Sequence, residues 1–158
     1  LCESAIENNL KMYLGTLPHK KIKNKYDVVC LIDVIEHVNN PVGMLNEVNN
    51  ILDNNGIGVL ITPDVGSVMA RILKWKWWHF RIAHIGYFNK KTIELCLNNS
   101  GFEIVSISKP SWYFLADYLF SRISNYMPLF GRIKLPSTFS KYTIPLNLYD
   151  SFQIIFQK

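Results

Sequence analysis

An apolar run of strand length that ends in ionisable side chains constrains this chain more than any other feature. Residues from Asp27 to Ile32 are nearly continuous in apolar type, and Asp33, Glu36 and His37 follow within five positions. Unbroken apolar strands are typical of parallel sheets covered on both faces. In such α/β sheets, ligands bind outside the carboxyl ends of the strands. The run therefore predicts a buried strand that delivers polar side chains to a ligand-binding edge.

Predicted helices alternate with predicted strands along the rest of the chain. One apolar stripe runs from Asn40 to Leu52, and a second helix is predicted from Asn89 to Asn99, each opening at an asparagine cap. The turn residues from Asp53 to Gly56 are predicted to end the first helix. The predicted strands are Leu10–Leu14, Asp27–Ile32, Gly58–Thr62, Phe102–Ser108 and Leu148–Phe156. This alternation predicts right-handed crossovers and a mostly parallel α/β sheet with flanking helices.

Composition narrows the class of protein. Hydrophobic residues make up 49% of the 158 residues and charged residues 18%, which is typical of a globular chain. Three widely spaced cysteines indicate neither a disulfide framework nor a metal site, so we expect a reducing cytoplasm and no metal. The formal charge of +5 leaves open an anionic partner such as nucleic acid, phospholipid or a phosphorylated substrate. A solvated, lysine-rich surface explains the same charge.

We expect one domain over residues 1–158, truncated at its amino end, with two insertions. Residues 65–88 are rich in tryptophan, arginine and histidine and are predicted to form a lid over an acceptor. Residues 110–145 are predicted to be a helical insertion before the last strand. Its amphipathic helix is predicted from Ser111 to Phe130, with apolar positions at Trp112, Leu115, Leu119, Ile123 and Met127.

Several motifs, taken in order, resemble one enzyme family. They are Asp33 to Val38, Asn40-Pro41, Leu52 to Gly56, Leu60 to Asp64, Trp77 to Arg81 with His84 and Tyr87-Phe88, and Pro145 to Asp150. In this order they resemble class I S-adenosylmethionine-dependent methyltransferases, nearest to the ubiquinone-biosynthesis type and its relatives acting on lipids, glycans and small metabolites. The resemblance covers nearly the whole chain and is weakest between residues 110 and 143. It implies a Rossmann-like fold and S-adenosylmethionine as cofactor.

The resemblance also shows what this sequence lacks. The glycine-rich loop that cradles the methionine end of the cofactor in the family is absent, as is the acidic residue that holds the ribose. Without the strands that carry them, the sheet would expose unpaired edges. We therefore expect this chain alone to fold poorly, to bind the cofactor weakly and to be inactive.

The resemblance implies cofactor contacts on two segments. Gly15, Thr16 and Leu17 would lie against the adenine, although the same residues suit an ordinary strand-ending turn. Asp33 would face the methionine part, where its carboxylate suits an ammonium group; the alternative is a turn or helix cap. Val34 would add apolar contact.

Candidate catalytic and acceptor-binding residues follow. His37 could accept a proton from an acceptor hydroxyl, and His84 is the second candidate base, although either histidine could simply stabilise its loop. The residues predicted to contact the acceptor are Trp77, Trp78, His79, Arg81 and Tyr87. The same cation–indole pattern is typical of docking at a membrane interface, and also of a packed loop.

The sequence therefore predicts O- or C-methylation of a small-molecule, lipid or glycan acceptor, with peripheral membrane contact left open. A nucleotide-binding Rossmann-like domain of another class and a non-catalytic domain remain alternatives. No nucleic-acid partner is expected, because the Asn/Asp-Pro-Pro-aromatic run that grips a flipped base is replaced by residues 33–36.

Overall fold

The computed structural model describes residues 2–126, 138 and 141–158 of the chain. Five helices and six strands are formed by these residues. The helices are α1 (Cys2–Glu7), α2 (Pro41–Ile51), α3 (Val68–Leu73), α4 (Lys90–Asn99) and α5 (Ala116–Tyr126), with short 3₁₀ turns at Ile35–His37 and Lys74–Lys76. The strands are β1 (Tyr26–Ile32), β2 (Leu52–Pro63), β3 (Glu103–Ser108), β4 (Trp112–Leu115), β5 (Thr143–Leu146) and β6 (Ser151–Gln157).

Four of the strands form one sheet in the order β1-β2-β6-β3. β1 runs parallel to β2, whereas β6 runs antiparallel to both β2 and β3. β1, β2 and β3 therefore point the same way and β6 runs opposite to them, so two of the three pairings are antiparallel. The predicted α/β sheet with flanking helices is confirmed. β4 and β5 pair separately as a two-stranded antiparallel ribbon.

The core lies between this sheet and the helices α2 and α4. Both helices begin where the sequence predicts, because an asparagine caps each: Asn40 Oδ1 accepts from the Gly43 N–H at 2.9 Å, and Asn89 forms a capping box with Thr92. The buried apolar side chains belong to both layers. Among them are Leu31, Ile35, Leu45, Val48, Leu60, Ile93, Leu97, Ile154 and Phe156.

Two predicted boundaries are wrong in the first half of the chain. Leu10–Leu14 forms no strand, and Leu10 and Leu14 are exposed. Residues Asp53–Gly56 belong to β2 rather than to a turn that ends α2. The pairing of β1 with β2 jumps from Leu52 to Ile57 while β1 advances two residues, so the polar residues are accommodated as an irregularity within the strand.

The predicted burial of β1 is also wrong. Most of its residues are exposed, and Val28 is 56% exposed, because β1 is an edge of the described sheet. Its apolar sequence suits coverage on both faces, which the described residues do not provide.

The insertion before the last strand differs from its prediction. Trp112 to Leu115 form β4 against β5, so the helix begins only at Ala116. The Ile123 side chain and Met127 lie outside the residues whose placement is described. The last strand begins at Ser151 rather than at Leu148. The apolar spacing of residues 112–115 also fits a helix. Pairing with β5 satisfies the backbone hydrogen-bonding groups of these residues, and this tertiary contact overrides the local pattern.

Candidate functional site

A cavity of about 690 Å³ opens beyond the carboxyl end of β1. It lies between the residues that follow α3 and the unit made by β4, α5 and β5. Its walls are mostly aromatic and aliphatic, with a few charged side chains. The lining residues are Asp33, Leu73, Lys76, Trp78, His79, Arg81, Trp112, Phe114, Tyr118, Leu119, Leu146, Leu148 and Asp150.

Asp33 directly follows β1 and lines this cavity, which is the position that the sequence predicts for it. Its backbone is in the left-handed region, with φ of 51°, which aspartate tolerates better than most residues. Its N–H donates to the Ile61 carbonyl at 3.0 Å, so the parallel pairing with β2 continues through this residue. The carboxylate is exposed and lines the cavity, where it can meet a cationic group.

Of the five residues predicted to contact an acceptor, Trp78, His79 and Arg81 line the cavity. Trp77 lies behind its wall instead, 1% exposed, with Nε1 donating to Asp150 Oδ2 at 3.1 Å. Tyr87 is exposed and its hydroxyl lies 3.4 Å from the Arg81 carbonyl, away from the described cavity wall. Consecutive tryptophans point in different directions here, so one supports the loop while its neighbour faces the cavity.

Asp150 anchors the cavity wall that carries His79. The residue is 4% exposed, and its Oδ2 accepts from Trp77 and lies 3.4 Å from His79 Nε2. Burial raises the pKa of Asp150, but the hydrogen bonds from His79 and Trp77, the charge of His79 and a backbone N–H together outweigh burial. The net pKa therefore lies below the ordinary value, and the carboxylate form is favoured.

Three histidines cluster beside the cavity. The rings of His37 and His84 meet edge to face at 4.7 Å, and those of His79 and His84 stack at 6.1 Å. Among these three, His79 lines the cavity, whereas His37 and His84, the predicted bases, lie outside its described wall. His37 Nδ1 donates to the Ala83 carbonyl at 2.7 Å. Burial, and then the charges of His37, His79 and Arg81, lower the pKa of His84.

Glu36 lies directly below this cluster. It is 1% exposed, and its Oε2 accepts from the Thr62 hydroxyl at 2.9 Å. Burial raises the pKa of Glu36, with a further contribution from the charge of Asp33. Its backbone carbonyl accepts from the N–H groups of Ile85 and Gly86, both at 2.9 Å. The residue thus ties the end of β1 to the loop that carries His84.

A second, smaller cavity of about 100 Å³ lies against Gly15, Thr16 and Leu17. Gly15 has φ of 147°, and a Cβ there would come within 2.9 Å of the His19 ring, so glycine allows a close approach. The side chains of Leu17 and Val34 are half-buried and pack against the core. These are the remaining residues predicted to bind the cofactor.

Comparison with known proteins assigns the family. A family model described as a methyltransferase domain matches residues 7–107. The chain belongs to this methyltransferase family. The match runs from the last residue of α1 through most of β3 and includes Asp33, Glu36 and both candidate bases. The resemblance seen in the sequence is thereby confirmed, and the chain is an S-adenosylmethionine-dependent methyltransferase of Rossmann-like fold.

Solved methyltransferases share the fold at low identity. A SAM-dependent methyltransferase from Thermotoga maritima is 19% identical, with a TM-score of 0.63 over 99% of this chain and 68% of its own. One from Clostridium acetobutylicum is 9% identical, with a TM-score of 0.58 over 98% and 68%. Magnesium protoporphyrin IX methyltransferase from Synechocystis, solved with bound SAH, is 14% identical, with a TM-score of 0.50 over 87% and 48%. No curated protein sequence matches this chain.

Several residues of this methyltransferase cavity are missed by sequence reasoning. They are Leu73, Lys76, Trp112, Phe114, Tyr118, Leu119, Leu146, Leu148 and Asp150. Asp150 ends a motif that resembles the family, but its contact with Trp77 joins residues 73 positions apart and carries no local signal. The amphipathic pattern predicted over residues 111–130 includes Trp112 and Leu119, but it does not specify which side chains face the cavity.

Proposed function

We propose that this methyltransferase transfers a methyl group to an oxygen or carbon of a small-molecule, lipid or glycan acceptor held in the large cavity. The observation that carries the proposal is that Asp33, at the carboxyl end of β1, shares a cavity with Trp78, His79 and Arg81. In α/β sheets, ligands bind at such strand ends. One cavity can therefore bring the donor's reactive end and an acceptor together.

The residues present fit parts of the donor. S-adenosylmethionine, when bound, supplies an electrophilic methyl group on a sulfonium. We assign the exposed carboxylate of Asp33 to the donor's ammonium group, because a charge-assisted pair there meets no competing partner among the described hydrogen bonds. We assign Gly15, Thr16 and Leu17 to the adenine, since Gly15 allows backbone to approach a flat ring. Val34 supplies apolar contact beside Asp33.

The cavity walls favour an acceptor with an apolar or aromatic body and an anionic group. Trp78 and Phe114 offer ring faces, while Lys76 and Arg81 offer positive charge at the same cavity. Aromatic side chains bind flat or aliphatic bodies, and arginine pairs well with a carboxylate or phosphate.

We assign the proton-accepting role to His79 rather than to His37 or His84. His79 lines the cavity, and Asp150 lies 3.4 Å from its Nε2, which orients the ring. A positioned base contributes about 10² to 10⁴ in rate when the acceptor is a hydroxyl. The remainder of the catalysis comes from proximity and exclusion of water. His79→Gln should therefore lower kcat on a hydroxyl acceptor while leaving donor binding unchanged.

Isothermal titration with S-adenosylmethionine and its demethylated product tests the donor assignment. Asp33→Asn should weaken both, by about ten-fold for a charge-assisted hydrogen bond worth about 1.5 kcal/mol. Asp53→Asn, an exposed aspartate in β2 away from the cavity, is the matched control. Equal donor affinity in Asp33→Asn would contradict the assignment. Tight binding of a nicotinamide dinucleotide, with no affinity for the donor, would favour the nucleotide-binding alternative.

We further propose that the protein works in the cytoplasm at a membrane surface. No helix among the described residues is long and apolar enough to cross a bilayer. Val68 and Ile72, four residues apart on α3, are each 68% exposed, and Trp75 beyond them is 77% exposed. Lys74 and Lys76 flank this tryptophan, a combination that suits an anionic interface.

Sedimentation with vesicles tests the membrane proposal. The protein should sediment with vesicles containing phosphatidylglycerol, and Trp75→Ser should reduce the bound fraction. Tyr113→Ser, which removes an aromatic ring that is 71% exposed elsewhere, is the control. Equal sedimentation of both variants and the unaltered protein would contradict a specific surface.

A further inference from the structure

We propose that Glu36, His37 and His84 form a binding site for a divalent transition-metal cation of the Zn²⁺ type. Each residue offers one ligand atom, and these atoms all lie within 4.8 Å of one another. None of the three lines the acceptor cavity, so the site is separate from the residues assigned to donor and acceptor. The proposal does not depend on which acceptor the protein methylates.

Two of these residues each carry a buried polar atom without a partner. Glu36 Oε1 and His84 Nδ1 are the two buried side-chain polar atoms that have no hydrogen-bond partner among the described residues. Glu36 itself is 99% removed from solvent, being 1% exposed. Buried polar atoms are nearly always paired, and a pair left unpaired in the same cluster indicates a missing ligand. A cation between them would satisfy both.

The neighbours of these ligands are arranged as a metal site requires. A carbonyl oxygen can only accept, so the hydrogen bond to Ala83 places the hydrogen of His37 on Nδ1. In the neutral ring, Nε2 then keeps its lone pair for a cation. The Thr62 hydroxyl donates to the other oxygen of Glu36 and fixes the carboxylate. Metal-bound histidines and carboxylates are oriented by outer hydrogen bonds of these two kinds.

The types of ligand atom decide which class of cation can bind. Two imidazole nitrogens and one carboxylate oxygen suit Zn²⁺ and similar transition metals, whereas Mg²⁺ and Ca²⁺ prefer oxygen ligands throughout. Ligands bonded at about 2.0–2.1 Å in a tetrahedral site lie about 3.4 Å apart. Binding therefore draws the three ligand atoms together by up to about 1.5 Å, which side-chain rotation can supply.

The site would join two parts of the catalytic region. Glu36 and His37 lie three and four residues after Asp33, beyond the end of β1, while His84 belongs to the loop that carries Trp78 and His79. A cation held by all three residues would fasten the acceptor side of the cavity to the donor side. Metal binding should therefore raise the melting temperature even without donor or acceptor.

Titration of the metal-free protein with Zn²⁺ and Co²⁺ tests the proposal. One ion should bind per chain, and bound Co²⁺ should show the visible absorption of a site with nitrogen and oxygen ligands. Glu36→Gln, His37→Ala and His84→Ala should each weaken Zn²⁺ binding at least ten-fold. Thr62→Val should weaken it about 10- to 100-fold, as outer-shell changes do. His19→Ala and Glu103→Gln, which change one histidine and one exposed glutamate elsewhere, should leave the affinity unchanged.

Two outcomes would overturn the proposal. One is Zn²⁺ affinity that stays the same in Glu36→Gln, a near-isosteric change that keeps the oxygen facing Thr62 and is checked for folding by circular dichroism. The other is Mg²⁺ binding as tightly as Zn²⁺, which the nitrogen ligands do not permit. Because the readout is metal binding rather than methyl transfer, a failed donor titration would not alter either result.

Discussion

Replacing Asp150 with asparagine tests how the acceptor side of the cavity is held. The carboxylate is 4% exposed and accepts from the Trp77 indole at 3.1 Å, with His79 Nε2 3.4 Å away. An asparagine side chain keeps the size but has one accepting oxygen and an NH₂ group. Both donors meet the same carboxylate oxygen, Oδ2, so the amide oxygen of asparagine can keep both contacts, but each becomes a contact with a neutral acceptor.

The expected cost follows from these contacts. A hydrogen bond to a charged partner contributes about 1.5–3 kcal/mol, whereas one between neutral groups contributes about 0.5–1.5 kcal/mol. Each of the two contacts therefore loses about 1 kcal/mol or more, and we expect Asp150→Asn to lower the free energy of unfolding by about 1–3 kcal/mol at pH 7.

The pH dependence gives the prediction its direction. Because the pKa of Asp150 is lowered in the folded protein, its contribution is complete above the unfolded value of about 3.9 and is lost as the pH falls through the folded value. The difference between the unaltered protein and Asp150→Asn should therefore shrink below about pH 4. His79 faces this carboxylate, and Asp33, Lys76 and Arg81 lie on the same cavity, so salt should be held constant.

Urea unfolding followed by tryptophan fluorescence at pH 7 and pH 3 measures both effects. Asp53→Asn is the control, because Asp53 is exposed and accepts from the neighbouring Asn54 N–H. A difference that is absent at pH 7, or one that grows as the pH falls, would refute the role given to Asp150.

Three further predictions concern stability and association. Gly58→Ala should lower the free energy of unfolding in urea by about 1–3 kcal/mol, because its Cβ would come within 2.1 Å of the buried Phe156 ring. The control is Gly86→Ala, whose Cβ would have its nearest contact at 3.4 Å and which should change the free energy of unfolding by less than about 1 kcal/mol. Val28→Lys, on the exposed edge strand, should reduce concentration-dependent light scattering with little change in unfolding; unchanged scattering would argue against edge pairing. Asn89→Ala removes a capping box and should lower the melting midpoint by an amount equivalent to about 1 kcal/mol.

Local chemistry made some elements predictable. Asn40 and Asn89 mark the starts of α2 and α4, because each side chain accepts a hydrogen bond from the backbone N–H three residues further along the chain. The apolar runs of β1 and β2 also indicate strands from neighbouring residues alone. The strand β4 was not predictable in this way, since its residues fit a helical repeat, and only pairing with β5 decides between the two.

The site was predictable in position but not in detail. Asp33 follows a strand, and strand ends are where ligands bind, so its place on the cavity could be predicted. Which histidine lines the cavity could not be predicted, because this depends on loop geometry that brings His37, His79 and His84 together from distant positions. The same loop geometry buries Trp77 and places its neighbour Trp78 on the cavity wall.

The hydrogen bonds around residues 65–88 bear on whether this segment can act as a lid. At its start, the Val65 N–H donates to the Phe88 carbonyl at 2.9 Å, and at its end Glu36 accepts from two backbone N–H groups. In its middle, Trp77 is anchored to Asp150, whose own carbonyl accepts from Asp64. A hinge motion of the whole segment would break all three attachments together. Rotation of the Trp78 and Arg81 side chains at the cavity wall breaks none of these three attachments. It therefore gives an acceptor access at a lower free-energy cost than opening the segment.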